Sequence, residues 1–274
     1  MVKPRIACYI TGGWTECGYM THFLNEINDK YDYRQRFPQK SIGKKGKKRK
    51  FVHIEGTTGE DLIKAVYSDL REHKKELVDF EAILIEDDVD DNYFLVDGYG
   101  RDYEKIEKRK TEIETEIQSI LGKDSMPIFF LYAIPEIEAW FLADWDHTFG
   151  EEYFHLLKKM NSYFSTTFRK FIMKQVLTNT YPLSEIENYG MFDGAYRKLS
   201  DELIQAFQEY SYLETEDKNN EEYDKIINGM ISNNRLCYSK KEQGRNMLAR
   251  LRPDKVASVC GHYFAKTYAE LNNF

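Results

Sequence analysis

Glu86, Asp87, Asp88, Asp90 and Asp91 put five carboxylates within six residues, directly after the apolar run Ile83-Leu84-Ile85. Like charges at that density repel one another unless a cation sits among them. Carboxylate oxygens are the ligands that hard divalent ions such as Mg2+ or Mn2+ take. The apolar run reads as a buried strand, and the C-terminal end of such a strand is where open α/β sheets bind ligands. In extended backbone, residues two apart point to the same side. Asp88 and Asp90 are therefore expected to face one ion together, with Glu86 on their side and Asp87 on the other.

Three other stretches carry groups that suit the same chemistry. Thr11-Gly12-Gly13-Trp14-Thr15-Glu16 follows the first apolar strand. Its glycines permit a tight turn or close approach of backbone to a phosphate. Glu16 is either a ligand reaching toward Asp88 or an acid favoured by the dipole of the following helix. Glu138 lies in Ile134-Pro135-Glu136-Ile137-Glu138-Ala139-Trp140-Phe141-Leu142-Ala143-Asp144. A carboxylate among such apolar neighbours needs a partner, and Glu136, like Glu86 and Asp87, is a further possible metal ligand. Lys240 opens a C-terminal stretch that continues through Arg245, Arg250, Arg252 and His262. A lysine beside a phosphodiester can stabilise charge in the transition state.

Lys44, Lys45, Lys47, Lys48, Arg49 and Lys50 form a basic run. It is either a solubilising loop tip or a holder of phosphate backbone. The chain as a whole carries a net charge of -7, which excludes a globally basic nucleic-acid binder and gives local patches more weight than the sum.

The elements that must position these groups alternate in the first half. Strands are expected over residues 5–10, 51–54, 82–85 and 127–133. Helices are expected over 19–27, from Thr57 with Leu62, Ile63, Val66 and Leu70 inward, over 101–121, and from Pro135 at a first helical position. That alternation predicts an α/β fold: a mostly parallel sheet flanked by helices. The second half reads as helical over 154–177, 196–212, 243–251 and 253–271, with an acidic loop or helix start over 214–223. The expected organisation is an α/β core over 1–145, a helical insertion or appendage over 146–234, and a C-terminal segment over 235–274 that completes the core. Cys8, Cys17, Cys237 and Cys260 lack metal-ligand spacing. No secretory signal or membrane-crossing apolar run is visible, so reduced thiols, a cytoplasmic location and no membrane association are expected.

Taken in order, the Gly-turn with Thr15-Glu16, the acidic strand end, the block around Glu138, Tyr238-x-Lys240-x-x-x-Gly244 and Cys260-Gly261-His262-Tyr263-Phe264 resemble the DUF4276 group of Toprim-like proteins. The resemblance covers both ends and the middle acids, but not residues 161–234. It implies a Toprim-like sheet and a Mg2+ site built from a glutamate after the first strand and an Asp-x-Asp after a later one. The Asp-x-Asp falls on Asp88 and Asp90, and the C-terminal lysine on Lys240. The first acid of the family's turn falls on Gly12, leaving Glu16 as the acid retained there.

Three functions follow as expectations. The first is a Mg2+-dependent nuclease with Asp88, Asp90, Glu138 and Glu16 at the ion, Lys240 stabilising charge and the basic run holding nucleic acid. Relatives of this kind sit in mobile-element and anti-phage defence systems beside a separately encoded ATPase, which the resemblance implies as a partner. The second is a binding or regulatory subunit with catalysis lost at Gly12. The third is a metal-dependent glycosyltransferase, to which Ile85-Glu86-Asp87-Asp88-Val89 is similar.

Overall fold

The computed structural model describes residues 3–38, 57–89, 93–95, 100–122, 126–153, 161–177, 182–192, 194–216 and 238–274. β1 (Arg5–Tyr9) leads through α1 (Met20–Ile27) to β2 (Asp32–Phe37), then α2 (Gly59–Glu72), α3 (Lys74–Leu77), β3 (Ala82–Asp88), α4 (Tyr103–Leu121), β4 (Ile128–Ala133) and α5 (Glu138–Ala143). The second half contains a π-helical turn at Asp146–Gly150, α6 (Asn161–Val176), a 3-10 turn at Leu183–Asn188, the ribbon β5 (Met191–Phe192) and β6 (Ala195–Tyr196), and α7 (Leu199–Glu216). A π-helical turn at Lys240–Gly244, α8 (Arg245–Leu248), α9 (Pro253–Val259) and α10 (Phe264–Asn273) follow.

The protein is α/β, as expected. Its main sheet has four parallel strands in the order β2-β1-β3-β4. Strand alternation sends Ile6, Cys8 and Leu84 to one face and Ala7, Tyr9, Ile83 and Ile85 to the other. α1 covers the first face, and α2 and α4 the second. This division follows from right-handed crossovers: the chain steps from β1 outward to β2, then back across β1 to β3, so the helices must change faces. The reversal leaves a switch point between β1 and β3, where open sheets of this kind bind ligands. On the first face one apolar cluster continues from the sheet through α5 into Phe168 and Ile172 of α6 and Leu203 and Phe207 of α7. No described helix is long and apolar enough to cross a membrane.

Two local expectations differ from the structure, and a third falls outside the described residues. The strand before α2 is Asp32–Phe37, while the expected strand at residues 51–54 lies outside the described residues. β2 is a sheet edge with a largely polar sequence, so it presents no apolar run to read. Its Arg36 is held by a bidentate pair with Asp69, both contacts at 2.9 Å. α5 begins at Glu138 rather than at Pro135, with Glu136 in the turn ahead.

The expected helix over 253–271 is two helices, broken at Cys260–Tyr263. The cause lies across the fold. The buried Glu187 carboxylate accepts backbone N–H groups from His262 at 2.6 Å, Tyr263 at 3.1 Å and Phe264 at 3.3 Å. Arg101, also buried, donates to the carbonyls of Glu187 and Tyr189 and lies 4.1 Å from the Phe94 ring centre. Glu187 thus satisfies amides that α10 cannot satisfy itself. Glu187→Ala should cost roughly 2–5 kcal/mol in urea unfolding, because it strands several buried donors. Glu187→Gln should cost less, since one acceptor oxygen remains.

Candidate functional site

Thr11, immediately beyond β1, ties the switch point together. Its N–H donates to Glu86 Oε2 at 3.1 Å and its hydroxyl to the same oxygen at 3.2 Å. Glu86 is completely buried, and its other oxygen, Oε1, has no hydrogen-bond partner. Two residues on, Asp88 Oδ1 accepts the Ile137 N–H at 3.2 Å and so fixes the turn that leads into α5. Asp87 points to the opposite face and accepts the Gly59 N–H, at the start of α2, at 2.9 Å and 3.1 Å. The parity expected for Glu86, Asp88 and Asp87 therefore holds, while Asp90 and Lys44, Lys45, Lys47, Lys48, Arg49 and Lys50 lie outside the described residues.

Glu136 and Glu138 arrive from the end of β4. Both are buried. Glu136 accepts the Ser200 N–H at 2.9 Å and the Ser200 hydroxyl at 3.2 Å. Glu138 Oε1 accepts the Tyr238 hydroxyl at 2.6 Å. Between the two carboxylates sits Lys240, with Nζ 3.0 Å from Glu136 Oε1 and 3.2 Å from Glu138 Oε2. Lys198 lies 3.7 Å from Glu136. The lysine expected from the C-terminal block is thus among the expected carboxylates, over 100 positions of sequence from either.

Two glycines allow that approach. Thr15 donates its hydroxyl to the Lys240 carbonyl at 3.2 Å, and a Cβ on Gly244 would meet Thr15 Oγ1 at 2.5 Å. The fixed spacing from Lys240 to Gly244 therefore lets the π-helical turn lie flat against the turn after β1. A Cβ on Gly13 would collide with the Glu16 carboxylate, which folds back over it. Glu16 is buried at 3% exposure.

Crowding these acids in a dry site shifts them. Burial raises Glu16 to about 7, against the opposing pull of Lys240. Burial, then the charge of Glu16, holds Glu86 well above the ordinary range. Asp88 is raised by burial and Glu138 likewise, each opposed by Lys240. Glu136 is the exception: Lys240, the Ser200 N–H and Lys198 together outweigh its burial and lower it. Lys240 is raised well above its ordinary value, because Glu138, Asp88 and Glu136 outweigh its own burial.

The donor set suits a hard divalent cation in two respects: every donor is a carboxylate oxygen, and Glu86 Oε1 is buried without a partner. Among the described residues, no three His, Cys, Asp or Glu side chains are drawn together as a ready-made cage. Lys240 is instead the internal counter-charge. Residues that sequence reasoning did not assign are Thr11, Thr15, Lys198, Ser200 and Tyr238. Tyr238 and Gly244 belong to the block with Lys240, so their spacing was the available signal. Lys198 and Ser200 lie in the helical half, where nothing marked them. Asp144, in the Glu138 block, accepts the Arg252 N–H at 2.8 Å and anchors the entry to α9.

The sign of the pH effect follows from these directions. Glu16 titrates at about 7 in the fold against an ordinary 4.5, so folding favours its protonated form. Its contribution is complete below about 4.5 and is lost as pH rises through about 7. Glu138, raised as well, adds the same sign. Glu136 has the opposite sign, but its stabilisation is lost only as pH falls below the ordinary carboxylate range. The melting temperature of metal-free protein should therefore fall from about pH 5 to about pH 7.5. Glu16→Gln should flatten that slope, and millimolar Mg2+ or Mn2+ should restore stability at the upper pH only.

No protein-family model, curated protein or solved structure matches the chain.

Proposed function

We propose that the protein is a Toprim-type nuclease that uses Mg2+ or Mn2+ to hydrolyse phosphodiester bonds in DNA or RNA. One observation carries this reading. Acids from three strand ends (Glu16 after β1, Glu86 and Asp88 on β3, Glu136 and Glu138 after β4) share the switch-point edge of the sheet with Lys240. Carboxylates with one lysine suit a substrate whose phosphate needs both a cation and a fixed positive charge.

Glu16, Glu86, Asp88 and Glu138 are the residues that would hold the ion, with Asp90 beside Asp88 in sequence. When bound, the ion neutralises charge on phosphoryl oxygens and stabilises the leaving oxygen. The rest falls to the chain. Thr11 orients Glu86, the Ile137 amide orients Asp88, and Tyr238 orients Glu138. Lys240, held by Glu136 and Glu138, presents a positive charge that a phosphoryl oxygen can share. Beside it, Lys241 Nζ lies 4.8 Å from the centre of the Trp14 ring, and Arg245 lies 5.6 Å from Trp14 and 5.7 Å from Tyr19. Cations stacked on aromatic faces suit both phosphate backbone and unstacked bases. The mobile-element or anti-phage setting, a cytoplasmic location and a partner ATPase belong to this proposal through the resemblance alone.

Purified protein with Mg2+ or Mn2+ should cleave plasmid, single-stranded DNA or RNA. Asp88→Ala, Glu138→Gln and Lys240→Ala should each lower the single-turnover rate by about 10²-fold or more. Undiminished cleavage by Asp88→Ala overturns the site. Lys241→Ala with Arg245→Ala should weaken binding and flatten its salt dependence by roughly one unit per lost contact.

A second reading, a binding or regulatory subunit that does not cut, is favoured by Lys240 already neutralising two of the acids and by Gly12 standing where the resemblance expects a carboxylate. On that reading wild type is inert, and Gly12→Glu creates or raises cleavage.

A further inference from the structure

Lys240 does not hold its two carboxylates alike. Nζ donates a hydrogen bond to Glu136 Oε1 at 3.0 Å. Its 3.2 Å contact with Glu138 Oε2 is an ion pair only. Among the described residues that oxygen accepts no hydrogen bond, although Glu138 is fully buried. Glu86 Oε1 is the second such oxygen at this sheet edge. A buried carboxylate oxygen left in that state is costly unless something takes it. Glu136 differs on each count. Its oxygens accept the Ser200 N–H, the Ser200 hydroxyl and Lys240, with Lys198 at 3.7 Å.

The lysine can move without unpacking the site. Thr15 and the close packing of Gly244 pin its backbone. Its side chain is 34% exposed and flexible, so the ammonium has room on the solvent side. Its charge also reaches beyond its contacts. At Glu16, Asp88, Glu136 and Glu138 alike, Lys240 is the largest charge opposing burial. A single ammonium thus supplies the charge that a divalent ion would bring to the same acids. Two cations that close repel each other in a site with little water.

We propose that Lys240 is a displaceable stand-in for the ion, in competition with it for Glu138 Oε2. Glu136 is the post on which the lysine stays when it gives up Glu138, and is not itself a metal ligand. A phosphate that engages the released ammonium relieves the competition, so ion and phosphate load together. Coupled loading rests on the nuclease reading; the competition needs only a divalent ion.

The test reads ion binding directly, by calorimetry of full-length protein with Mn2+ at about pH 8, above the Glu16 value of about 7. Lys240→Met should bind Mn2+ about tenfold tighter than wild type or more, because a competing positive charge is gone. Adding Glu136→Gln to Lys240→Met should weaken binding by about threefold at most. Wild type gives a second measurement that needs no variant to fold. Saturating Mg2+ should speed reductive methylation of the Lys240 amine about threefold or more, read by mass spectrometry, since release from Glu138 makes its proton easier to lose. Equal, weaker or absent Mn2+ binding in folded Lys240→Met, or an unchanged methylation rate, overturns the competition. A larger loss from Glu136→Gln makes Glu136 a ligand and overturns its role as post. A phosphorothioate dinucleotide should tighten Mn2+ binding about fivefold or more in wild type but not in Lys240→Met, and its uncharged methylphosphonate counterpart in neither. An equal effect on both proteins overturns coupled loading. Tighter Mn2+ binding by Lys240→Met with no cleavage by wild type removes the nuclease and keeps the competition; cleavage with Mn2+ binding insensitive to Lys240 does the reverse.

Discussion

The ammonium of Lys240 between Glu136 and Glu138 is the interaction on which the rest of the arrangement depends. Five acids converge on one sheet edge, and four of them are fully or nearly fully buried. Burial alone works against every one of those charges. A single lysine, brought in from the far end of the chain, makes that density tolerable. The surrounding geometry is organised to bring it there: Gly244 packs on Thr15, Thr15 holds the Lys240 carbonyl, and Tyr238 braces Glu138 from the same segment. A buried ion pair of this kind is weak evidence of stability, so its position argues for a use.

Topology explains why the acids meet where they do. β1 and β3 are neighbours in the sheet but are separated in sequence by β2 and α2. Their loops leave in opposite directions and open a crevice at their C-terminal ends. Glu86 and Asp88 face into the crevice from β3, and Asp87, one residue between them, faces the other way to brace α2. One short acidic run therefore serves two faces.

Much of this was legible in sequence. Apolar runs at β1, β3 and β4 gave three of the four strands, since buried central strands have no polar option. The edge strand β2 escaped notice because pairing to β1 and the Arg36–Asp69 contact, not an apolar run, hold it in place. Glu138 stood out as an acid among apolar residues, and it is fully buried with Tyr238 and Lys240 as partners. Ser200 and Lys198 carried no signal, because their importance comes only from where α7 docks. The break between α9 and α10 was equally hidden. Its cause, Glu187, lies more than 70 residues away and acts on backbone amides, which leave no mark in side-chain pattern.

The contact between Thr15 and the Lys240 carbonyl joins residues 225 positions apart. Closing a loop of that length is entropically slow to reward, and contacts of such separation form late in folding. During synthesis Glu16, Glu86, Asp88, Glu136 and Glu138 emerge long before their lysine does. The growing chain thus carries an uncompensated acidic edge, kept in water or protonated, until the last segment docks. Assembly of the centre is in this way a report on completion of the fold: a chain arrested short of residue 240 lacks the charge that makes its edge a site.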